Sequence, residues 1–354
     1  MYYVYVNNDN LSYWLSQSSI ADQGAITILT DFDWWLSMPK EKCVALWETQ
    51  TFDDNCYQQV STICQHAGQA VLFFPEFISD EWCHDFDQSN VSFFIAGELN
   101  WSTQHATVHQ HQYFFWSTTD FYHSDTRWLP QVDSTLPKSK TFDVLLGRQK
   151  PHRTLIHQQI DHSQNIVTYF ESDQDQDLRY QNSKNFQWPT EILPQPTDKI
   201  CWTGNEVLVD GTIVSLSQLV PVGIYNQTAY TLVAETQCEN QFSFFTEKII
   251  KPMMCRRLFL VSSGQYYLRN LRAWGFQTFN SIVDESYDLE PNSARRTEML
   301  LSQVKYLEQQ DQIWVYQQAK SIVDHNYNIV MNSRWLHMMC QELSALLTKK
   351  LGLQ

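Results

Sequence analysis

Short apolar runs alternate with polar or mixed segments along the first third of the chain. Each run is bounded by Asp, Asn, Pro or Gly, which is typical of strands in a parallel sheet that is covered on both faces. Between two of the runs, Tyr57, Val60, Ile63 and Cys64 are spaced like one face of a helix. This alternation predicts an α/β fold with mainly parallel sheets. The apolar runs are MYYVYV, AITILTDF, CVALWET, AVLFFPEF, VSFFIAGELN and QYFFWST.

A second pattern of the same kind begins after a stretch rich in turn residues. The stretch 128–142 contains two prolines and no periodicity, which indicates a linker. A strand, FDVLLG, then leads to a helix that Pro151 can open. The polar stretch 172–199 has no apolar stripe and is interpreted as a surface insertion. Further strands and helices follow in alternation as far as FQTF, which is typical of a doubly wound domain, and helices follow to the end. They are TAYTLVAET, FSFF, TEKIIKPMMCRR, RLFLVSS, QYYLRNLRAW and FQTF.

The two patterns predict two Rossmann-like domains. A chain of 354 residues has room for two domains of ordinary size. We place the first domain at 1–137 and the second at 138–330, followed by a C-terminal helix at 331–354 that can cross back to the first domain.

Composition narrows the classes of partner and the compartment. The chain has 24 Lys and Arg against 39 Asp and Glu, a formal net charge of −15, which disfavours binding to duplex nucleic acid and to anionic membranes. No apolar stretch approaches the roughly 18 residues that span a bilayer, and the first residues do not resemble a signal peptide. The 8 cysteines form no C-x-x-C pair. We therefore expect reduced cysteines and a cytoplasmic location. If a virus encodes the protein, the expected location is the cytoplasm of the host cell.

The segment 241–264 carries the candidate chemistry. Thr246 can cap a helix whose first turn holds Glu247 and Lys248, directly after an aromatic strand. The free N–H groups, the helix dipole and the lysine favour an anion such as a diphosphate. Glu247 is an acceptor and suits the hydroxyls of a ribose or a sugar. The alternative is that Glu247 only complements the helix dipole and that Lys248 is solvated.

These residues resemble a known family. The sequence F-F-T-E-K-I-I-K-P-M-M-C-R-R-L-F-L-V-S-S-G, at 244–264, is similar to the donor-binding segment of the alpha-1,3-fucosyltransferases, glycosyltransferase family 10, and of their uncharacterised, often virus-encoded glycosyltransferase-like relatives. The strand T-L-V-A-E-T at 231–236, the W-G-F at 274–276 and the D-E-S-Y-D at 284–288 extend the likeness. The close match covers about residues 225–290.

The resemblance implies a donor site. It implies that Lys248 contacts the donor diphosphate, that Glu247 contacts ribose or sugar hydroxyls, and that Glu235 lies beside them. Thr246 belongs to the same motif. Phe244 stands where the family usually has Tyr, which keeps a stacking face and loses a hydroxyl.

Two further positions are implied by the same resemblance. Arg153 matches an arginine that binds the diphosphate in the family, and Arg148 and Lys150 are secondary candidates on the same loop. Glu98, in V-S-F-F-I-A-G-E-L-N, matches the family's catalytic base, although Leu99 replaces the expected Asn. An inverting transfer needs such a carboxylate to take the proton of the acceptor hydroxyl.

The resemblance therefore implies a glycosyltransferase of GT-B architecture, with two Rossmann-like domains that face each other across a cleft. It implies inverting transfer of a sugar, most readily fucose from GDP-fucose, to a hydroxyl of a glycan or small-molecule acceptor. No obligatory metal is expected, because Arg153 and Lys248 would neutralise the leaving diphosphate. The sequence H-x-x-x-H-x-H, ending at His111, matches no usual zinc spacing and is interpreted as a sheet edge.

Two other functions stay open at this point. One is a non-catalytic protein that keeps the fold and binds a glycan or a protein partner through aromatic platforms. The other is a transferase that acts on modified nucleic acid, which the net charge disfavours. The candidate platform residues are Trp34, Trp35, Trp101, Trp116 and Trp128.

Overall fold

The structure is a computed structural model that divides into two compact units. The first unit comprises Met1–Tyr113 and Arg334–Gln354, and the second comprises Phe114–Ser333. Arg148, Trp101, Trp128 and the predicted insertion at 172–199 lie outside the described residues. The structure describes residues 1–7, 9–17, 26–48, 54–74, 84–100, 103–124, 130–147, 149–169, 200–203, 206–209, 212–215 and 218–352.

In the described residues, strands and helices alternate in parts of the chain, and the last three elements are helices. Short 3₁₀ helices lie at Lys40–Lys42 and Glu285–Leu289. The strands are β1 (Tyr2–Val6), β2 (Ile26–Leu29), β3 (Cys43–Glu48), β4 (Gln69–Phe74), β5 (Val91–Ile95), β6 (Gly97–Leu99), β7 (Thr107–Gln110), β8 (Lys140–Leu145), β9 (Ile166–Thr168), β10 (Ile200–Thr203), β11 (Glu206–Val209), β12 (Thr212–Ser215), β13 (Thr228–Ala234), β14 (Phe242–Phe244) and β15 (Phe259–Ser262). The helices are α1 (Asp9–Ser16), α2 (Phe32–Leu36), α3 (Asp54–His66), α4 (Tyr113–Ser124), α5 (Pro151–Gln159), α6 (Val222–Tyr225), α7 (Glu247–Met254), α8 (Tyr267–Ala273), α9 (Ser293–Glu308), α10 (Gln312–Asn332) and α11 (Trp335–Leu351).

The first unit is built on a six-stranded sheet in the order β2-β1-β3-β4-β5-β7, and all of its neighbouring strands are parallel. Every residue of β3 and of β5 is buried, as the unbroken apolar runs predict for a sheet covered on both faces. Trp14 and Trp35 are fully buried in its core. The hydroxyl of Tyr2 donates to the carbonyl of Leu351 at 3.0 Å, which ties α11 to this unit.

The second unit contains a four-stranded parallel sheet in the order β15-β13-β8-β9. The chain runs through β8 first, then to β9 on one side, and then to β13 and β15 on the other. This is the doubly wound order, in which the direction of winding reverses between the first and third strands. Strands β10, β11 and β12 form a separate antiparallel sheet. The fold class is thus α/β with parallel sheets, as predicted.

The boundary between the units differs from the one expected after residue 137. The run QYFFWST was predicted as a strand, but it opens helix α4. Phe115, Thr119 and Tyr122 are buried at helical spacing, and the ring of Phe115 stacks on that of Phe276 at 5.4 Å. The hydroxyl of Tyr122 donates to the carbonyl of Gln218 at 2.8 Å. Since these contacts lie within the second unit, α4 belongs there.

The predicted strand FQTF, residues 276–279, is also irregular in the structure. The backbone of this segment forms hydrogen bonds with a side chain, where a strand would form them with a neighbouring strand. The amide of Asn326 accepts from Gln277 N at 2.8 Å and donates to the carbonyl of Gln277 at 2.9 Å. None of the helices in the described ranges is both long and apolar enough to cross a membrane.

Candidate functional site

The candidate site lies at the carboxyl edge of the sheet in the second unit. Ligands of doubly wound sheets bind outside the carboxyl ends of the strands, at the point where the winding reverses. In this unit that point lies between β8 and β13. Of the residues predicted from the sequence, Glu235 directly follows β13, Arg153 lies on α5, which comes after β8, and Thr246, Glu247 and Lys248 lie at the start of α7.

Arg153 reaches the end of β13 from the first turn of α5. Pro151 is the first residue of this helix, as predicted, and Lys150 precedes it in an extended conformation. The Arg153 Nη2 donates to the carbonyls of Ala234 and Glu235 at 3.1 and 3.0 Å. Only 4% of Arg153 is exposed. The guanidinium therefore fixes the carboxyl end of β13 and adds a positive charge beneath it.

Lys248 lies at the opening of α7. Thr246 caps this helix, since its side chain accepts from Lys248 N at 3.2 Å. The Nζ of Lys248 donates to Glu247 Oε1 at 2.8 Å and to Thr236 Oγ1 at 3.2 Å. Its side chain is 30% exposed, against 13% for Glu247. Lys248 is thus the cation that a ligand can touch directly. The predicted apolar stripe of the helix, Ile249, Ile250, Met253 and Met254, is buried.

Glu235 follows β13 directly and is fully buried. Its carboxylate accepts from the hydroxyl of Thr246 at 2.7 Å and from the hydroxyl of Tyr267 at 2.8 Å. Burial raises the pKa of Glu235 above its ordinary value, while the nearby charge of Lys248 acts to lower it. The carboxylate of Glu235 therefore contacts the hydroxyl of Thr246 and lies within reach of the charge of Lys248.

The charges of the site are coupled. Burial acts to lower the pKa of Lys248, but the carboxylates of Glu247 and Glu235 outweigh it and raise that pKa. Burial acts to raise the pKa of Glu247, but Lys248 and Lys251 hold it below its ordinary value. Burial lowers the pKa of Lys251 to about 8. Both members of the Glu247–Lys248 pair are therefore charged at neutral pH.

His152 also contacts the carboxyl end of β13. Its Nε2 lies 3.1 Å from the carbonyl of Glu235, and the imidazole is 5% exposed. Burial, followed by the charge of Arg153, lowers the pKa of His152 to about 4. The imidazole is thus neutral at pH 7, and its Nε2–H donates to the carbonyl. The positive charge of the site comes from Arg153, Lys248 and Lys251, in a chain whose net charge is −15.

Two predicted site residues lie elsewhere. Phe244 is 1% exposed, and its ring packs against Phe242 and Phe114 with centroids 5.6 Å apart in both pairs. It serves as a core residue, and not as the stacking face for a donor that the sequence suggested. Glu98 lies on β6 in the first unit, where its carboxylate accepts a hydrogen bond from the side chain of Gln110.

The histidines and tryptophans named in the sequence analysis differ in their surroundings in the structure. His109 pairs with Glu342 at 2.9 Å, whereas His111 is buried, with 1% of its surface exposed. No group of three or more metal-ligating side chains occurs in the described part of the chain. Trp35 is fully buried, and Trp34 is 53% exposed.

Sequence reasoning missed three contributors to the site. Thr236 accepts from the lysine ammonium, His152 binds the end of β13, and Tyr267 binds Glu235. Tyr267 is far from the motif in the chain and has no pattern of its own. His152 could have been suspected, because it precedes Arg153 in the same helical turn.

Comparison with known proteins adds no relative. Neither a protein-family model nor a curated protein matches this sequence. The resemblance to the fucosyltransferases therefore depends only on the sequence motifs quoted above.

Proposed function

We propose that the second unit binds the diphosphate of a nucleotide sugar and that the protein is an inverting glycosyltransferase. The preferred donor is GDP-fucose, and the acceptor is a hydroxyl of a glycan or of a small molecule. In this proposal the two units take the GT-B arrangement, with the donor on the second unit and the acceptor on the first.

One observation carries the proposal. Arg153 and Lys248 come from different helices, yet they bond to three consecutive residues, 234–236, at the end of one strand. That strand borders the point where the winding of the sheet reverses, and Glu235, which follows it, accepts a hydrogen bond from Thr246, the cap residue of α7. Two cations beside the positive end of a helix dipole, at such a position, favour a phosphate group.

The roles of the two cations follow from how far each side chain is exposed to solvent. Lys248, as the more exposed cation, contacts the diphosphate, and Arg153 supports it with charge from below. When the phosphate draws the ammonium of Lys248, Glu247 becomes available to accept bonds from ribose or sugar hydroxyls. The site thus offers a cation for the phosphate and an acceptor for the polyol, which is the chemistry of a nucleotide sugar.

The chemical step needs one base and one stabilised leaving group. The oxygen of the acceptor hydroxyl attacks the anomeric carbon, and the bond from that carbon to the diphosphate breaks. Glu98, nominated by the family resemblance, takes the hydroxyl proton. GDP leaves with the additional negative charge, which Lys248 and Arg153 stabilise.

Calorimetric titration of the purified protein with GDP tests the site. We expect GDP to bind, and we expect Lys248→Ala to weaken its binding roughly 10- to 100-fold, because a hydrogen bond to a charged group is lost. Titrations with UDP, ADP and CMP test the preference for guanine. Added salt should weaken GDP binding, because screening reduces the attraction of the phosphates.

A matched control is available in the same unit. Lys140 is the first residue of β8, at the opposite edge of the same sheet, and its Nζ donates to the carbonyl of Ser163. Lys140→Ala removes the same charge and should leave the affinity for GDP unchanged. A folded protein that gives no heat with GDP contradicts the proposal, and so does equal affinity of the Lys248→Ala variant and the wild type.

A further inference from the structure

The fully buried carboxylate of Glu235 lies close to Lys248, the lysine of the site. An ionised carboxylate in the interior is unfavourable unless hydrogen bonds compensate for its lost hydration. Glu235 has three donors within reach, which are the Thr246 hydroxyl at 2.7 Å, the Tyr267 hydroxyl at 2.8 Å and Thr246 N at 3.4 Å. The carboxylate is thus oriented from two sides, by the cap of α7 and by the start of α8.

Tyr267 is itself held in a fixed position. It is the first residue of α8, it is 1% exposed, and its ring meets that of Phe245 edge-on at 5.0 Å. The Asp288 carboxylate accepts from Leu268 N and Arg269 N at 2.8 and 3.0 Å and so anchors the start of the helix. Burial raises the pKa of Tyr267 well above its ordinary value, so its hydroxyl keeps its proton and donates it to Glu235.

The hydroxyl of Thr246 transmits this orientation. A threonine hydroxyl has one proton and two lone pairs. Its proton is directed to Glu235, so the lone pairs remain for the two donors of Lys248. These are Lys248 N at 3.2 Å and Lys248 Nζ at 3.4 Å. The same hydroxyl therefore caps α7 and contacts the ammonium.

We propose that Tyr267 is a positioning residue for the phosphate-binding lysine. It orients the carboxylate of Glu235, which fixes the hydroxyl of Thr246, and this hydroxyl holds both the backbone and the ammonium of Lys248. The inference rests on the proposed diphosphate site. It adds to that site a buried residue on α8 that touches neither donor nor acceptor.

The first test is Tyr267→Phe, which removes only the hydroxyl. We expect the Kd for GDP to rise about tenfold, since one hydrogen bond to a buried charged group is lost. The matched control is Tyr122→Phe. The Tyr122 hydroxyl donates to the carbonyl of Gln218 at 2.8 Å and accepts from Val220 N at 2.6 Å, so the control loses two hydrogen bonds in the same unit. It should lower Tm and leave the Kd for GDP unchanged.

The pH dependence of GDP binding separates a positioning role from a purely structural one. The Tyr267 hydroxyl stabilises the ionised form of Glu235. The charges of Lys248 and Glu247 act on the same carboxylate, and Arg153 and the neutral His152 bond to the backbone carbonyl of Glu235. Without that hydroxyl the pKa of Glu235 rises further. GDP affinity in the Tyr267→Phe variant should therefore begin to fall at a higher pH than in the wild type, as the medium is made more acid. A structural role alone leaves the two profiles parallel.

A second pair of variants serves if Tyr267→Phe does not fold. Thr246→Ser keeps the hydroxyl and should bind GDP within about threefold of the wild type, whereas Thr246→Val should weaken binding about tenfold. If wild-type protein does not bind GDP, the proposed function fails. If the wild type binds GDP and both Tyr267→Phe and Thr246→Val bind it equally well, only the positioning inference is overturned.

Discussion

At the scale of single residues, the site depends on a close approach of two backbone segments beside it. A Cβ atom on Gly264 would lie 2.0 Å from the carbonyl oxygen of Glu239 and 3.2 Å from that of Phe242. Both neighbours are backbone atoms, which cannot turn aside as a flexible side chain can. Glycine is therefore required at the point where the end of β15 meets the segment 235–241.

Gly264→Ala should destabilise the second unit by about 2 kcal/mol or more, because overpacking forces the backbone to shift. Urea denaturation measures the free energy of unfolding. Gly147→Ala is the control, since its new Cβ would meet Arg153 Nη1 at 3.5 Å, an ordinary contact. The control should change stability by less than about 0.5 kcal/mol. Equal stability of the two variants contradicts the argument.

Contacts between buried residues that are distant in the chain could not be predicted from the sequence. The motif around Thr246 and Lys248 could be predicted, because a cap, a charge and an apolar stripe are adjacent in the chain. Tyr267 and Gly264 act through contacts with residues more than twenty positions away. Local pattern carries no information about such contacts, and Phe244 was misassigned for the same reason.

At the scale of elements, the end of α7 has a backbone conformation that is unusual for its residue. Arg256 has a φ of 50°, in the left-handed region that favours glycine. Its guanidinium compensates by binding α10, with Asp324 Oδ1 at 3.0 Å and the ring of Tyr327 at 3.3 Å. The residue thus ends the helix and ties it to its neighbour.

Two substitutions at Arg256 separate these effects. Both Arg256→Ala and Arg256→Gly lose the contacts with α10, but only glycine relieves the left-handed strain. The Gly variant should be more stable than the Ala variant by about 1 kcal/mol, measured by urea denaturation. At Glu298, an exposed position in the middle of α9, the order should reverse, because glycine is unfavourable in a helix. The same order at both positions would refute the explanation.

Strands and helices whose apolar residues follow one clear periodicity were predicted well. Elements that are apolar on several sides were not. The strands β1, β3, β4 and β5 and the helix α7 overlap the runs identified in the sequence, although the run VSFFIAGELN contains both β5 and β6. Helix α4 was misread because it is apolar on several sides, so that its first residues look like a strand. Its type is set by contacts with Gln218 and Phe276, which no local rule includes.

At the scale of the whole molecule, both units have the same winding order near their first strand. β1 lies between β2 and β3, and β8 lies between β9 and β13. The alternating runs predicted a Rossmann-like pattern in each half of the chain, but they did not give the order of the strands. The C-terminal helix was expected to cross back to the first domain, and α11 belongs to the first unit through contacts such as that of Tyr2 with Leu351. The part of the division that the sequence missed is α4, which was placed in the first domain.

Each unit also contains a buried histidine, and together they make stability depend on pH. Burial lowers the pKa of His111 to about 3 and that of His152 to about 4, from an ordinary value of 6.5. Below pH 6.5 the unfolded chain binds protons at these positions while the folded chain does not. Stability therefore falls as the pH is lowered from 6.5 towards 4, by up to about 1.4 kcal/mol per pH unit for each histidine.

The expected result is a lower free energy of unfolding at pH 5 than at pH 7.5. His152→Gln removes one of the two titrating groups, so the decrease between these pH values should be smaller in the variant by about 2 kcal/mol. His162→Gln, at an exposed position, should behave like the wild type. Urea denaturation at both pH values measures these differences. A decrease in His152→Gln as large as that of the wild type would show that His152 is not the buried neutral group that supports the end of β13.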